Sequence, residues 1–397
     1  MTLINFASAA QTMEERLVAR RREFHRHPEL AFEEHWTSGR VADYLRDLGL
    51  EIQTGVGGTG VVAILDGAND GPTVLVRSDM DALPVEEQTG AEYRSQITGK
   101  MHACGHDGHM SVVLATAELL LQNQQALSGR VKFVFQPAEE VGQGAAAMVR
   151  DGVLADPKPD YSVGLHLWNE LPIGQVALDS GPVMAAVSDF EIVIEGKGGH
   201  AGIPQQAIDP VVCAAHIVTA LQSIVSRNVP PQEAVVLSVT MIEGGSAKNV
   251  IPTQAKMAGT LRTFDVGRRD DVVNRMQAIA EGIAQGLDCQ AMLDIAHHTV
   301  PVINDPDMVE RVRQGWQQQD IAFDDTTVMT TAGEDFSEFT QGIPGIFFFV
   351  GSANPDRGLT YPHHHAKFDI DESSLVTATT LLASAVGSLL ASEGMQE

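Results

Sequence analysis

Apolar residues recur along this chain at two periods, and the changes of period mark its organisation. Met13, Leu17 and Phe24 share one helical stripe, which predicts a helix over residues 12–25. His27-Pro28-Glu29 ends it, because the residue before a proline is pushed out of the helical region. Trp36, Val41, Tyr44, Leu45 and Leu48 predict a second helix over 33–48, stopped by Gly49. Residues 61–65 and 73–77 read as strands with a glycine-containing turn between them. A helix over 111–122, a buried strand over 131–135, a short helix over 145–151 and a buried strand over 161–167 follow. Strands alternating with helices predict an α/β fold, a mostly parallel sheet flanked by helices. In such sheets the ligand crevice lies beyond the carboxyl ends of the strands. Polar clusters fall at those ends, after Arg77, Phe135 and Leu165.

The rhythm changes around Gly181-Pro182. Strands over 190–195, 234–242, 256–263 and 290–296 and helices over 210–226 and 268–285 run in the order β-α-β-β-α-β. That is the ferredoxin-like split unit. After Val300-Pro301 the first pattern resumes, with a helix over 307–318, a strand over 346–350 and a last helix over 374–393. The expectation is a discontinuous catalytic domain, residues 1–182 and 300–397, with an inserted α+β lid over 183–299.

Composition narrows the function classes. With 26 basic and 52 acidic residues the net charge is −26, so nucleic acid is excluded as a partner: little here would neutralise phosphates. Three cysteines are too few and too scattered for a disulfide framework. Cys213 and Cys289 sit among small apolar residues and read as core, whereas Cys104 sits among histidines. The opening MTLINFASAAQTMEERL has no basic segment ahead of an apolar one, so no signal peptide is expected. No run approaches 18 apolar residues, so no membrane span is expected and a reducing cytoplasm is the default.

The stretch MHACGHDGHM, residues 101–110, packs Cys104, His106, Asp107 and His109 into six positions. Thiolate and imidazole are ligands for zinc-type metals, though the same stretch also reads as a polar loop opening a helix. Metal-assisted hydrolysis needs a metal-acidified water, a base for its proton and a stabiliser for the tetrahedral intermediate. Glu139-Glu140 follows a buried strand, and neighbours at such a turn point differently. Glu139 suits the base and Glu140 a ligand. His166 ends the next strand, and His363-His364-His365 forms a histidine run near the C-terminus. Asp79 and Asp81 follow the 73–77 strand, where an aspartate can orient a ligating histidine without touching metal. In the insertion, His200 sits on a glycine-rich turn and suits an oxyanion stabiliser. Asn249 and Arg262 are polar among apolar neighbours, and Arg262 can pair a substrate carboxylate bidentately. Competing motifs fail on context: Gly55–Gly60 matches G-x-G-x-x-G but precedes a strand, and no G-x-S-x-G or H-E-x-x-H is present.

RREFHRHPELAFEE, VRSDMDALP, MHACGHDGHM, FQPAEE, GLHLWN, GKGGHAGIP, NVIPTQAKMAGTLRTF, GEDFSEF and HHHAKFDIDE occur in the order found in the amidohydrolase branch of the aminoacylase/carboxypeptidase metallopeptidase family. The chain resembles that branch from about Arg16 to Glu372. Hippurate hydrolases, N-acetyl-diaminopimelate deacetylases and auxin-conjugate hydrolases belong to it. The resemblance implies a zinc-peptidase-like catalytic sheet carrying two divalent metal ions, with Zn, Mn, Ni or Co all suiting such a donor set. It implies Cys104 as a bridging-type ligand and His106, Glu140, His166 and His364 as the others, with His363 and His365 the alternatives to His364. It implies Glu139 as general acid/base, His200 and Asn249 as oxyanion stabilisers and Arg262 at the substrate carboxylate. Other branches carry H-x-D where this chain has Arg77-Ser78-Asp79, so Asp79 keeps an orienting role only. The implied activity is hydrolysis of a small N-acyl amino acid by a homo-oligomer, dimer or tetramer, with a dipeptidase or carboxypeptidase on the same fold as the alternative.

Overall fold

The structure is a computed structural model and describes residues 6–391. Residues 1–5 of the opening stretch and 392–393 of the expected last helix lie outside the described residues. Contacts divide the chain into two units. The first comprises Met1–Val183, Ile303–Val328 and Asp335–Glu397, and the second Met184–Val302 and Met329–Glu334. The short segment at 329–334 joins the second unit through the bridge between Met184 and Thr330 and the bond from Ala185 N–H to the Ala332 carbonyl.

The first unit is built on an eight-stranded sheet. Its order is Glu51–Val56, Gly60–Asp66, Ser128–Gln136, Asn69–Asp79, Tyr161–Pro172, Gly345–Ala353, Gln175–Ala177 and Asp324–Thr326. The four central strands pair in parallel, and the two at the start of the order pair antiparallel. Every residue of Gly345–Ala353 is buried. Phe347, Phe348 and Phe349 in that strand contribute roughly 1.5–3 kcal/mol each by leaving water. Lys132 interrupts the apolar run of Ser128–Gln136 yet is buried too. Its ammonium donates to the carbonyls of Val153 and Pro157 at 2.6 and 2.7 Å, and burial lowers its pKa to about 8.

From Asn69–Asp79 the chain passes through the helix His106–Gln122 to a strand on one side. It then recrosses to Tyr161–Pro172 on the other side. Asn69–Asp79 is therefore the strand at which the winding reverses, the place where α/β sheets open a crevice. The helix His106–Gln122 packs against Ser374–Leu390 and Glu14–Arg26. It begins at His106, five residues before the predicted start, because its first turn is polar and fully buried.

A buried ion network ties these helices together. Arg21, fully buried, donates to Asp107 at 2.7 Å and to Asp369 at 2.8 Å. His25 pairs with Asp107 at 2.8 Å. Asp107 sits in the first helical turn but caps nothing: the cap residue is Gly105, and the Asp107 carboxylate is engaged by Arg21 and His25. Burial works against its charge, but those two cations hold its pKa far below the usual carboxylate range.

The second unit has a four-stranded antiparallel sheet in the order Val235–Gly244, Gln254–Thr263, Ala186–Glu195, Gln290–His297. The helices Pro210–Arg227 and Val266–Gly286 cover one face. Pro210–Arg227 is 18 residues long with a mean hydropathy of 1.2, long and apolar enough to cross a membrane by length and composition. Its Cys213, Ala214, Ile217, Leu221 and Ile224 form a buried stripe against the sheet, the pattern of a core helix.

Replacing Arg21 by Met leaves Asp107 and Asp369 buried without their guanidinium. The expected cost is about 3–5 kcal/mol, read as a lowered denaturation midpoint; an unchanged midpoint would contradict the network's role.

Candidate metal centre

The cluster is assembled where the central strands end. Gly105 takes φ 89°, a left-handed conformation that side chains rarely adopt, and so folds Cys104 back toward His106 at the helix start. His106 Nδ1 donates to the Asp81 carbonyl at 2.8 Å, which directs Nε2 into the cluster. Cys104 Sγ is 3.5 Å from His166 Nε2, while His166 Nδ1 is engaged by the Leu167 carbonyl at 2.8 Å.

The carboxylates arrive from a strained turn. Ala138 takes φ 53°, left-handed without being glycine. The residues after it are held by one side chain: Asp81 accepts the N–H groups of Glu139 and Glu140 at 3.0 and 3.1 Å. Gly144, just beyond, has no room for a side chain, since a Cβ there would lie 1.5 Å from the Pro137 carbonyl oxygen. Glu139 and Glu140 oxygens come within 3.9 and 3.8 Å of His106 Nε2.

The three histidines of the C-terminal run separate. His364, itself at φ 66°, places Nε2 3.3 Å from Glu140. His363 Nε2 accepts the Asn169 N–H at 3.1 Å, its ring lies against Trp168, and its Nδ1 faces Cys104 Sγ at 3.9 Å. His365 stacks on Tyr361. Cys104, Glu140 and His364 offer ligand atoms within 4.8 Å of one another, and so do Cys104, His106 and His166, and His106, Glu139 and Glu140. Cys104, His106 and Glu140 each belong to two of these groups, so the three clusters are contiguous.

Asp79 bonds a histidine outside the expected ligand set. It is 3.6 Å from His106 Nε2 but bonds His109 Nδ1 at 2.8 Å, and His109 Nε2 accepts the Leu167 N–H at 2.9 Å. His109 thus braces one strand end against the next. Arg77, buried in the strand, donates to Asp79 at 2.8 Å and to the Gln136 side chain at 2.7 Å. Burial opposes the Asp79 charge, but His106, His109 and Arg77 hold its pKa well below the usual carboxylate range. The orienting contacts on His106 and on the glutamate turn come from Asp81, whose sequence position marked it no more strongly than Asp79.

Negative charge is in surplus here. Burial, with Asp81 and Asp79, raises the Glu140 pKa to about 7 against the pull of His106. Burial and the carboxylates of Glu140, Glu139 and Asp79 push the Cys104 thiol well up. Burial would lower the His106 pKa, but Asp79, Asp81 and Glu140 outweigh it and bring it to about 10. His106 Nε2 and Glu140 Oε1 are buried with no hydrogen-bond partner. Such orphaned atoms cost about 1–3 kcal/mol each, and a divalent cation meets them and the charge surplus together. Thiolate, imidazole and carboxylate donors in this number fit that kind of ion.

In the second unit His200 and Asn249 are brought together. Gly199–His200 pairs with Val250–Ile251, and the Ala201 N–H donates to the Asn249 carbonyl at 3.1 Å. His200 Nδ1 accepts the Gly202 N–H at 2.9 Å, which leaves the ring proton on an outward Nε2. Arg262 stands on the sheet face opposite the helices, half-buried, beside the Thr260 hydroxyl and 3.2 Å from the Leu261 carbonyl.

A mostly parallel sheet with thiol, imidazole and paired carboxylates at its strand ends defines a metallohydrolase. The chain belongs to peptidase family M20/M25/M40, whose model matches residues 75–388. It is 40% identical over 374 residues to the N-acetylcysteine deacetylase of Bacillus subtilis, covering 93% of this chain and 95% of that protein. It is 39% identical over 374 residues to thermostable carboxypeptidase 1 of Saccharolobus solfataricus, covering 91% and 92%. A solved dinuclear metal-binding peptidase of family M20 from Bacillus subtilis superposes with a TM-score of 0.85 at 35% identity, over 96% of this chain and 99% of that one. The protein is an amidohydrolase of this family, with a site for two divalent metal ions.

Metal uptake at this cluster should displace protons from Cys104 and Glu140. Apparent affinity should rise with pH through 7, by about tenfold per pH unit for each proton displaced. Calorimetric titration of the metal-free protein in buffers of different ionisation heat reads this directly, and a buffer-independent heat would contradict it. Cys104→Ser should lower the metal content found by elemental analysis.

Proposed function

We propose that this protein hydrolyses the amide bond of N-acyl amino acids, N-acetyl and N-benzoyl (hippurate-type) substrates among them, releasing a carboxylate and a free amino acid. The observation that carries this reading is the Glu139–Glu140 turn beside Cys104, His106 and His364. The deacetylase named among its relatives supports it. Cys104, His106, Glu140, His166 and His364 hold the two ions. When bound, zinc, manganese, nickel or cobalt would supply polarisation of the scissile carbonyl and a lowered water pKa.

The chain's own groups do the rest. Glu139 accepts the proton of the attacking water on a carboxylate oxygen and delivers it to the departing nitrogen. His200 Nε2–H and the Asn249 amide donate to the oxygen that becomes negative, from the same chain or from a second copy. Arg262 pairs the carboxylate of the amino-acid half, and its planar fork selects substrates that keep that group. Asp79 holds the strand end in place through His109.

A homo-oligomer, dimer or tetramer, goes with this reading. Val211, Met241 and Ile242 are exposed, and Val211 lies beside Gly244 at the edge strand, so the second unit offers an apolar surface for a second copy. Three unpaired, buried cysteines suit a reducing cytoplasm. Peptide cleavage by a dipeptidase or carboxypeptidase is the second reading, favoured by the carboxypeptidase named among the relatives.

Assay of N-acetyl- and N-benzoyl-amino acids against free dipeptides, with several divalent metals, separates the two; faster turnover of dipeptides would overturn the first. Glu139→Gln should lower kcat by about 10²–10⁴-fold with metal still bound, and retained turnover would remove Glu139 as the proton carrier. Arg262→Ala should raise KM for N-acyl amino acids and leave that for the corresponding amino-acid amides little changed.

A further inference from the structure

Glu34 is fully buried and takes no part in the chemistry described above. Its Oε1 accepts two backbone N–H groups, from Phe32 at 3.0 Å and from Ala138 at 2.9 Å. Its Oε2 accepts the Thr59 hydroxyl. Phe32 and Ala138 are both left-handed, at φ 62° and 53°, although neither is glycine. Such residues keep that conformation only where their surroundings impose it, and one oxygen holds the N–H of both. Ala138 precedes Glu139 and Glu140, whose N–H groups are held by Asp81. Three consecutive amides of the turn thus rest on two buried carboxylates.

We propose that Glu34 is a positioning residue for amide hydrolysis: by clamping the Ala138 N–H it sets the left-handed turn that aims the Glu139 and Glu140 carboxylates. The inference rests on the roles given above to those two glutamates. It also gives the Gly55–Gly60 run a task. Thr59, in the turn between the first two strands, fixes the second oxygen of Glu34, so its carboxylate cannot swing away from Ala138. Position matters here more than charge. A glutamine keeps an oxygen for the two N–H groups and offers its amide to the Thr59 hydroxyl. An aspartate keeps the charge but withdraws the oxygen by one methylene.

The test compares E34Q, E34D and E139Q, with turnover counted per bound metal so that misfolded protein is excluded. E34D should lose about tenfold to 10²-fold in kcat, the scale on which a displacement of about 1 Å acts, with KM little changed. E34Q should stay near wild type. Wild-type kcat in E34D, or E34Q as slow as E34D, would overturn the proposal. E139Q separates this inference from the one beneath it. Full activity there removes the proton role of Glu139, while E34D and E34Q still decide on Glu34, because Glu140 stands on the same turn.

Discussion

The centre depends on keeping carboxylates charged and aimed where there is almost no water. A buried carboxylate is tolerated only if donors surround it. Asp81 finds them in the amides of the glutamate turn, Asp79 in Arg77 and His109, and Asp107 in Arg21 and His25. Asp81 joins two strand ends, the Asp79–His109 pair joins a strand end to a helix, and Asp107 joins two helices. The contacts that satisfy charge are the ones that set the geometry of the donors.

That economy leaves two atoms over within the metal cluster. His106 Nε2 and Glu140 Oε1 have no hydrogen-bond partner inside the protein, and the surrounding groups hold protons that a cation would replace. The strained residues mark the same place: Ala138 and His364 carry left-handed backbones on the two loops that bring Glu140 and a histidine face to face. Strain of this sort persists where the fold over-determines a position.

Much of this was readable along the chain because the pattern and the chemistry coincide. Tyr161–Pro172 and Gly345–Ala353 are buried strands with strong apolar runs, and His166 lies within one of them. Other parts carried no such signal. Glu51–Val56 is a real strand, but four of its six residues are exposed, so its sequence shows no buried face. The first turn of His106–Gln122 is polar because it serves the site, and periodicity placed the helix start too late. Glu34 and Arg21 act through contacts far away in sequence, and nothing local distinguishes them from surface residues; Asp81 and His109 stood in marked stretches, but their partners are equally distant. Asp79 was expected to orient a ligating histidine, with none singled out; the histidine it bonds is His109, one helical turn from His106.

The first unit is completed by both ends of the chain. Ser374–Leu390 packs on a sheet whose strands begin before residue 60, and an entire second unit intervenes. During synthesis part of the sheet's apolar face stays uncovered until that last helix has been made, while the inserted unit already holds nearly all of its own residues. The guest can therefore mature before its host, and the host is the one that needs shelter from aggregation in the interval.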